Sequence, residues 1–241
     1  MGSTSPPAGV SYRVTERLAE QFHDLVVALA EAMPGCRIAD VGGGANPLLP
    51  PATIEALGLR YTVLDIDPVE LAKAPAGYRT ELCDITAPRA DLGEFDLIVS
   101  RMLAEHIADA AAFHRGVRSL LAPGGRAVHL VPTLFALPFV VNRVLPERLA
   151  SAALAVVRPR DRVQHRKFPA YYRWCHGPTR RQRDRLTTAG YEIEGYIGLF
   201  GHGYYRRVPG LRTVHRYATG MIARRPLAAW TSYAIVVLRR R

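Results

Sequence analysis

The stretch that most limits what this chain can become is IADVGGGANP, residues 38 to 47. A short apolar run suited to a buried strand ends at an acid, Asp40, and passes into Gly42, Gly43 and Gly44. Glycine turns the chain sharply and leaves bare backbone that a ligand can approach closely. Three ligand chemistries compete for such a loop. A dinucleotide fold wants GxGxxG, whose third glycine lets helix pack on strand. Gly42 and Gly44 fit that spacing, but Pro47 stands in the third place. A phosphate-cradling loop wants GxxxxGK followed by Ser or Thr, and no lysine lies nearby. What remains is Asp40, the glycine turn, and a second acid, Asp65, 21 residues beyond Gly44 at the end of the run RYTVLD. A carboxylate there suits a ribose, because it accepts hydrogen bonds from both vicinal hydroxyls.

The rest of the chain supplies the frame this loop needs. Residues 15 to 33 place Leu18, Phe22, Leu25, Val26 and Leu29 at helical spacing behind Thr15 as cap, and Pro34-Gly35 stops them. Short apolar runs then recur as RIADV, RYTVLD, YRTELC, FDLIVS and RAVHLV, separated by turns or by helical stretches. One such stretch is 107 to 121, where Ile107, Ala110, Phe113, Val117 and Leu121 share a face. Strands alternating with helices imply a parallel sheet with right-handed crossovers. After Val131 the pattern shifts to two short amphipathic helices broken at Pro146, a basic and aromatic stretch, and a helix closed by Gly190. YEIEGYIGLF and AAWTSYAIVVLRR are late β-rich runs. The expected organisation is therefore a nucleotide-binding half over 1 to 131, an insert over the pocket at 132 to 190, and strands completing the sheet at 191 to 241.

Composition narrows the class. With 241 residues the chain can bury one α/β core and carry one elaboration. No apolar run reaches the roughly 18 residues of a membrane span, and MGSTSPPAGV lacks the basic then apolar order of a signal peptide, so a cytoplasmic location is expected. Cys36, Cys83 and Cys175 are widely spaced and form no CxxC or Cys/His pair, so no metal site is expected. The net charge of +11 divides unequally: residues 1 to 140 carry 11 basic and 16 acidic side chains, and residues 141 to 241 carry 21 basic and 5 acidic. Only Lys73 and Lys167 among the basic residues are lysines. The basic half admits a nucleic-acid face, a peripheral membrane-surface contact, or a pocket rim for an anionic molecule.

In order and spacing, DVGGGANP, VLDIDP, CDIT, FDLIVSRMLAEHI and LLAPGGRAVHLV resemble the successive motifs of class I S-adenosylmethionine-dependent methyltransferases. They are most similar to the small-molecule branch that includes quinone-biosynthesis and sugar methyltransferases. The resemblance covers residues 36 to 131 strongly and the last strands weakly. It implies a Rossmann-like α/β fold: a seven-stranded sheet, mostly parallel with an antiparallel last strand, helices on both faces, and a helical lid. It also implies S-adenosyl-L-methionine as cofactor. Gly42, Gly43, Gly44 and Asn46 would let the backbone approach the methionine part, and Asp40 would orient that loop or meet the amino group through water. Asp65 would take the ribose hydroxyls, with Ile66 against the adenine; Asp84 would receive the adenine amino group, with Ile85 beside the ring. Ser100 and Arg101 would line the methionine end through backbone groups.

Methyl transfer from a sulfonium is an in-line displacement, so holding the acceptor in attack geometry in a dry pocket is most of the task. A hydroxyl acceptor also needs a base with a pKa near working pH. His106, which follows Glu105 where this branch commonly shows EH, is the candidate; its alternative role is to cap the helix that follows. Tyr171, Tyr172 and His202 are candidates for acceptor contact from the insert and the late loop. SRML after the fourth strand is unlike the NPPF or DPPY type of amino-directed DNA methyltransferases, so DNA is not the expected partner. The expectation is an O-methyltransferase acting on a small, amphiphilic or lipid-linked molecule. Its rivals are an RNA methyltransferase using the basic half and a regulatory protein that binds the cofactor without chemistry.

Overall fold

Runs rich in β-branched residues alternate with amphipathic stretches, and in the computed structural model they form one eight-stranded sheet. The structure describes residues 9–133, 169–201 and 209–241. The strands are β1 (Gly9–Val14), β2 (Arg37–Val41), β3 (Arg60–Asp65), β4 (Arg79–Leu82), β5 (Phe95–Arg101), β6 (Leu121–Pro132), β7 (Tyr191–Phe200) and β8 (Tyr233–Arg240). Their order is β1-β7-β8-β6-β5-β2-β3-β4. β8 runs antiparallel to both of its neighbours, β6 and β7, and the other pairs are parallel.

The expected seven strands are present, with an eighth that sequence reading left out. GVSYRV, at the start of the described chain, pairs in parallel with Gly195–Phe200 at the sheet edge. Its Val10 and Val14 remain 39% and 46% exposed. An edge strand with one neighbour buries too little to show the strong apolar pattern of β5 or β6.

The helices are α1 (Leu18–Glu31), α2 (Pro51–Ala56), α3 (Pro68–Leu71), α4 (Ala110–Leu120), α5 (Arg180–Thr188) and α6 (Pro209–Arg224). α1 buries Phe22, Val26, Leu29 and Ala30, one stripe at helical spacing, against the sheet core. Each large side chain so buried stabilises the fold by roughly 1.5–3 kcal/mol. The helix begins three residues later than its pattern suggests. Thr15 is not its cap; the Thr15 hydroxyl accepts the Arg17 amide at 3.1 Å instead. α4 likewise begins at Ala110, because the Asp109 carboxylate accepts the Ala112 amide at 2.9 Å and fixes the first turn there. No helix among the described residues is long and apolar enough to cross a membrane.

This topology decides where a site can form. From β2 the chain moves outward through β3 to β4, then returns to β5 on the other side of β2 and continues to β6. At that reversal the loops leaving β2 and β5 part in opposite directions and open a crevice at the carboxyl ends of the strands.

Candidate functional site

The glycine loop is held from below. Asp40 is 3% exposed, and its Oδ2 accepts the Leu48 amide at 2.7 Å and the Tyr61 hydroxyl at 2.6 Å. Burial pushes its carboxyl pKa upward, and the two donors oppose that shift. Asp40 therefore anchors the chain that leaves the loop. A Cβ on Gly43 would lie 2.7 Å from Asp40 Oδ2 and 3.0 Å from Val63 Cγ1, so the loop can sit this low only with glycine. Gly44, at φ +37°, would bring a Cβ within 2.9 Å of Asp65 Oδ2.

Above the loop lies a cavity of about 640 Å³, walled by the segments that follow β2, β3, β4 and β5. Asp65 ends β3 on its wall; one oxygen accepts the Asp67 amide at 3.0 Å. Partial burial raises the Asp65 pKa, with the charges of Asp67 and Glu70 adding to the effect. Ile66 is 61% exposed while lining the cavity, an apolar surface left uncovered on its wall. After β4, Asp84 Oδ1 accepts both the amide (2.8 Å) and hydroxyl (2.7 Å) of Thr86, which fixes the turn carrying Ile85. Gly116 of α4 packs directly on the Ile85 carbonyl, where no side chain would fit. All of Asp40, Gly42, Gly43, Gly44, Asn46, Asp65, Ile66, Asp84 and Ile85 line this one cavity.

Ser100 does not. It is 1% exposed, and its hydroxyl meets His129 Nδ1 at 2.8 Å inside the sheet layers. By strand alternation the side chain of its neighbour Arg101 points the other way and lines the cavity; the expectation for both residues concerned their backbone groups. The Arg101 guanidinium donates to the Asn46 carbonyl at 3.2 Å across the mouth of the glycine loop. Met102 follows at φ +55°, an uncommon conformation for a side-chain-bearing residue, and with it the chain turns off the strand so that Leu103 and His106 face the cavity.

His106 lies in a short 3-10 turn over Ala104–His106, and the Asp109 cap shows that it does not cap α4. Its Nδ1 is 2.8 Å from the Pro169 carbonyl. A carbonyl can only accept, so Nδ1 carries the proton in the neutral ring and Nε2 carries the lone pair. Nε2 is 3.9 Å from Oε1 of Glu105, a carboxyl that is 5% exposed and pushed up to about 8 by burial. Glu105 also receives the amides of Tyr171 (2.6 Å) and Tyr172 (3.1 Å) on its backbone oxygen. The chain returning at Pro169 is thus stitched to the cavity wall at two consecutive residues.

The aromatic candidates fare differently. Tyr172 is 6% exposed within the hydrophobic core, at φ +52°, and Tyr171 is 42% exposed; neither lines the cavity. His202 lies outside the described residues. Sequence reasoning passed over Met102, Leu103, Ala108 and Asp109, and assigned Ile107 to a helix face, although all five line the cavity. Their one signal is position, in the loop after a strand adjoining the glycine loop's own. Among the described residues no group of three or more His, Cys, Asp or Glu is disposed to hold a metal ion.

A crevice at the reversal point of a doubly wound sheet, with a glycine loop below and an acid at the next strand's end, defines a protein that binds a nucleoside-containing cofactor. The chain belongs to the methyltransferase-domain family, whose model matches residues 13–194. A ubiquinone biosynthesis O-methyltransferase of Xanthomonas campestris pv. campestris (strain B100) is 33% identical over 139 residues, 50% of this chain and 56% of the relative. That of Methylobacterium sp. (strain 4-46) is 33% identical over 104 residues, 39% of this chain and 40% of the relative. The chain spans about half the length of the first of these and less of the second. The S-adenosylmethionine-dependent methyltransferase of Mesorhizobium loti shares the fold, with a TM-score of 0.52, 18% identity, and coverage of 92% of this chain and 100% of the other.

Proposed function

We propose that this chain transfers a methyl group from S-adenosyl-L-methionine to a hydroxyl of a small or amphiphilic molecule. The observation that carries this reading is the pinned tautomer of His106 on the wall of the same cavity that Asp65 and the glycine loop line. When bound, the sulfonium cofactor supplies an activated methyl group and a neutral leaving group. Asp65 would accept the ribose hydroxyls, Ile66 and Ile85 would flank the adenine, and Asp84 would accept its amino group. Gly42, Gly43, Gly44 and Asn46 would give the methionine part a close backbone surface. His106 Nε2 takes the acceptor's proton as its oxygen attacks, and Nδ1 stays bonded to the Pro169 carbonyl, so the ring neither turns nor changes tautomer. Leu103, Ile107 and Met102 supply the apolar wall that keeps water from competing with the acceptor.

In this reading residues 1–131 form the cofactor half, and the segment returning at Pro169 is the edge of a cover over the acceptor. The apolar wall supports an amphiphilic or lipid-linked acceptor. Tyr217, Met221, Leu227 and Trp230 are each more than half exposed, and Arg224 and Arg225 stand exposed among them in sequence. That combination supports contact with a membrane surface through the basic half. The test is transfer of labelled methyl from the cofactor into fractionated extract of the source organism, with mass identification of the product. A product carrying an O-methyl group supports the proposal. Tight cofactor binding with no labelled product in any fraction contradicts it and favours a regulatory role.

A further inference from the structure

The cavity is strongly acidic, with one exception. Asp40, Asp65, Glu70, Asp84 and Asp109 all line it, and among the described residues Arg101 is the only arginine or lysine that does. Lys73, which does not line it, pairs with Glu70 at 2.6 Å. Such a wall attracts a sulfonium and an ammonium group but repels a carboxylate, and an amino-acid-bearing cofactor carries all three.

Arg101 has the means to reverse that repulsion. Its guanidinium offers five N–H donors, and a single hydrogen bond, from Nη2 to the Asn46 carbonyl, is made with the described residues. That bond holds the planar fork at the mouth of the glycine loop. We infer that the Arg101 side chain binds the carboxylate of the cofactor's amino-acid moiety and so selects a cofactor bearing one. The inference rests on the cofactor reading above, but it assigns to the side chain a role that the resemblance gives only to the backbone here. A guanidinium meets a carboxylate through two parallel hydrogen bonds, which makes the contact selective as well as attractive.

The experiment is calorimetric titration of the full chain and of Arg101→Met and Arg101→Lys with S-adenosylhomocysteine and with its decarboxylated counterpart, without acceptor. Arg101→Met is expected to weaken S-adenosylhomocysteine binding roughly 10- to 100-fold, and the decarboxylated ligand less than about 2-fold. Arg101→Lys, which keeps the charge but loses the fork, should fall between. Equal weakening of both ligands would make Arg101 a clamp on the Asn46 loop and overturn the inference. Unchanged affinity for S-adenosylhomocysteine would overturn it too, and would leave the guanidinium for an anionic acceptor. If neither ligand binds the unaltered chain, the cofactor reading itself fails and the inference with it. Melting temperatures within a few degrees of the unaltered chain establish that the variants fold.

Discussion

The hydroxyl of Tyr61 donates to the buried Oδ2 of Asp40 at 2.6 Å, and the same phenol oxygen lies 3.2 Å and 3.3 Å from the amides of Leu48 and Leu49. A side chain on β3 thereby ties the acid of β2 to the chain leaving the glycine loop. Tyr61→Phe keeps the ring and removes the donor from a carboxylate that is 3% exposed. It should cost about 1.5–3 kcal/mol of stability, seen as a lower urea midpoint at unchanged slope. An unaltered midpoint would mean that the Leu48 amide alone satisfies Asp40.

The helix glycine at 116 is a steric necessity. A methyl group there would fall on the Ile85 carbonyl, so α4 can approach the turn after β4 only without one. Gly116→Ala raises helix propensity by about 1 kcal/mol, yet the clash should leave the protein roughly 1–3 kcal/mol less stable. It should also weaken S-adenosylhomocysteine binding, because the displaced turn carries Asp84 and Ile85. Thermal melting and titration of the one variant test both effects.

Glu105 and His114 set opposite limits on stability with pH. Burial raises Glu105 from 4.5 to about 8, so the folded protein keeps a proton that the unfolded chain releases; its contribution falls as pH climbs from about 4.5 to about 8. Burial lowers His114 from 6.5 to about 4, so the unfolded chain takes up a proton first and stability falls as pH drops from 6.5 toward 4. Above pH 6.5 the Glu105 effect stands without that opposition. Relative to Glu105→Gln, the unaltered chain should lose about 1 kcal/mol per pH unit between 6.5 and 7.5, by urea unfolding. Parallel curves for the two proteins would mean that Glu105 is already ionised in the fold.

His106→Ala removes the lone pair at Nε2 and the bond to Pro169. If His106 is the base, the turnover number should fall by roughly two to four orders of magnitude while S-adenosylhomocysteine affinity stays within about twofold. Equal losses in both would reduce His106 to a tether for the returning chain.

Much of this was legible in the sequence, for identifiable reasons. The central strands announced themselves through apolar runs because both of their faces are covered, and the glycine loop through a spacing that only close approach explains. β1 stayed hidden because its pairing partner, β7, is nearly 190 residues away in sequence and its outer side meets no strand among the described residues. The side chains of Ser100 and Arg101 go to opposite sides of the sheet, decided by strand parity, which a motif does not display. The aromatic richness around Tyr171 and Tyr172 was visible, but burial of Tyr172 depends on a left-handed backbone that the letters do not specify. His106 was singled out by position and lines the cavity, whereas its tautomer required the Pro169 carbonyl, 63 residues away.

The acid that closes β3, Asp65, is the proposed grip on the cofactor's ribose. Calorimetric titration of S-adenosylhomocysteine into the unaltered chain and into Asp65→Ala measures it directly. The expected result is one ligand per chain, with affinity reduced in the variant by about 1.5–3 kcal/mol through loss of charge-assisted hydrogen bonds to the ribose. Equal affinity in the two proteins, or no binding to the unaltered chain, would contradict the placement of the cofactor in this cavity.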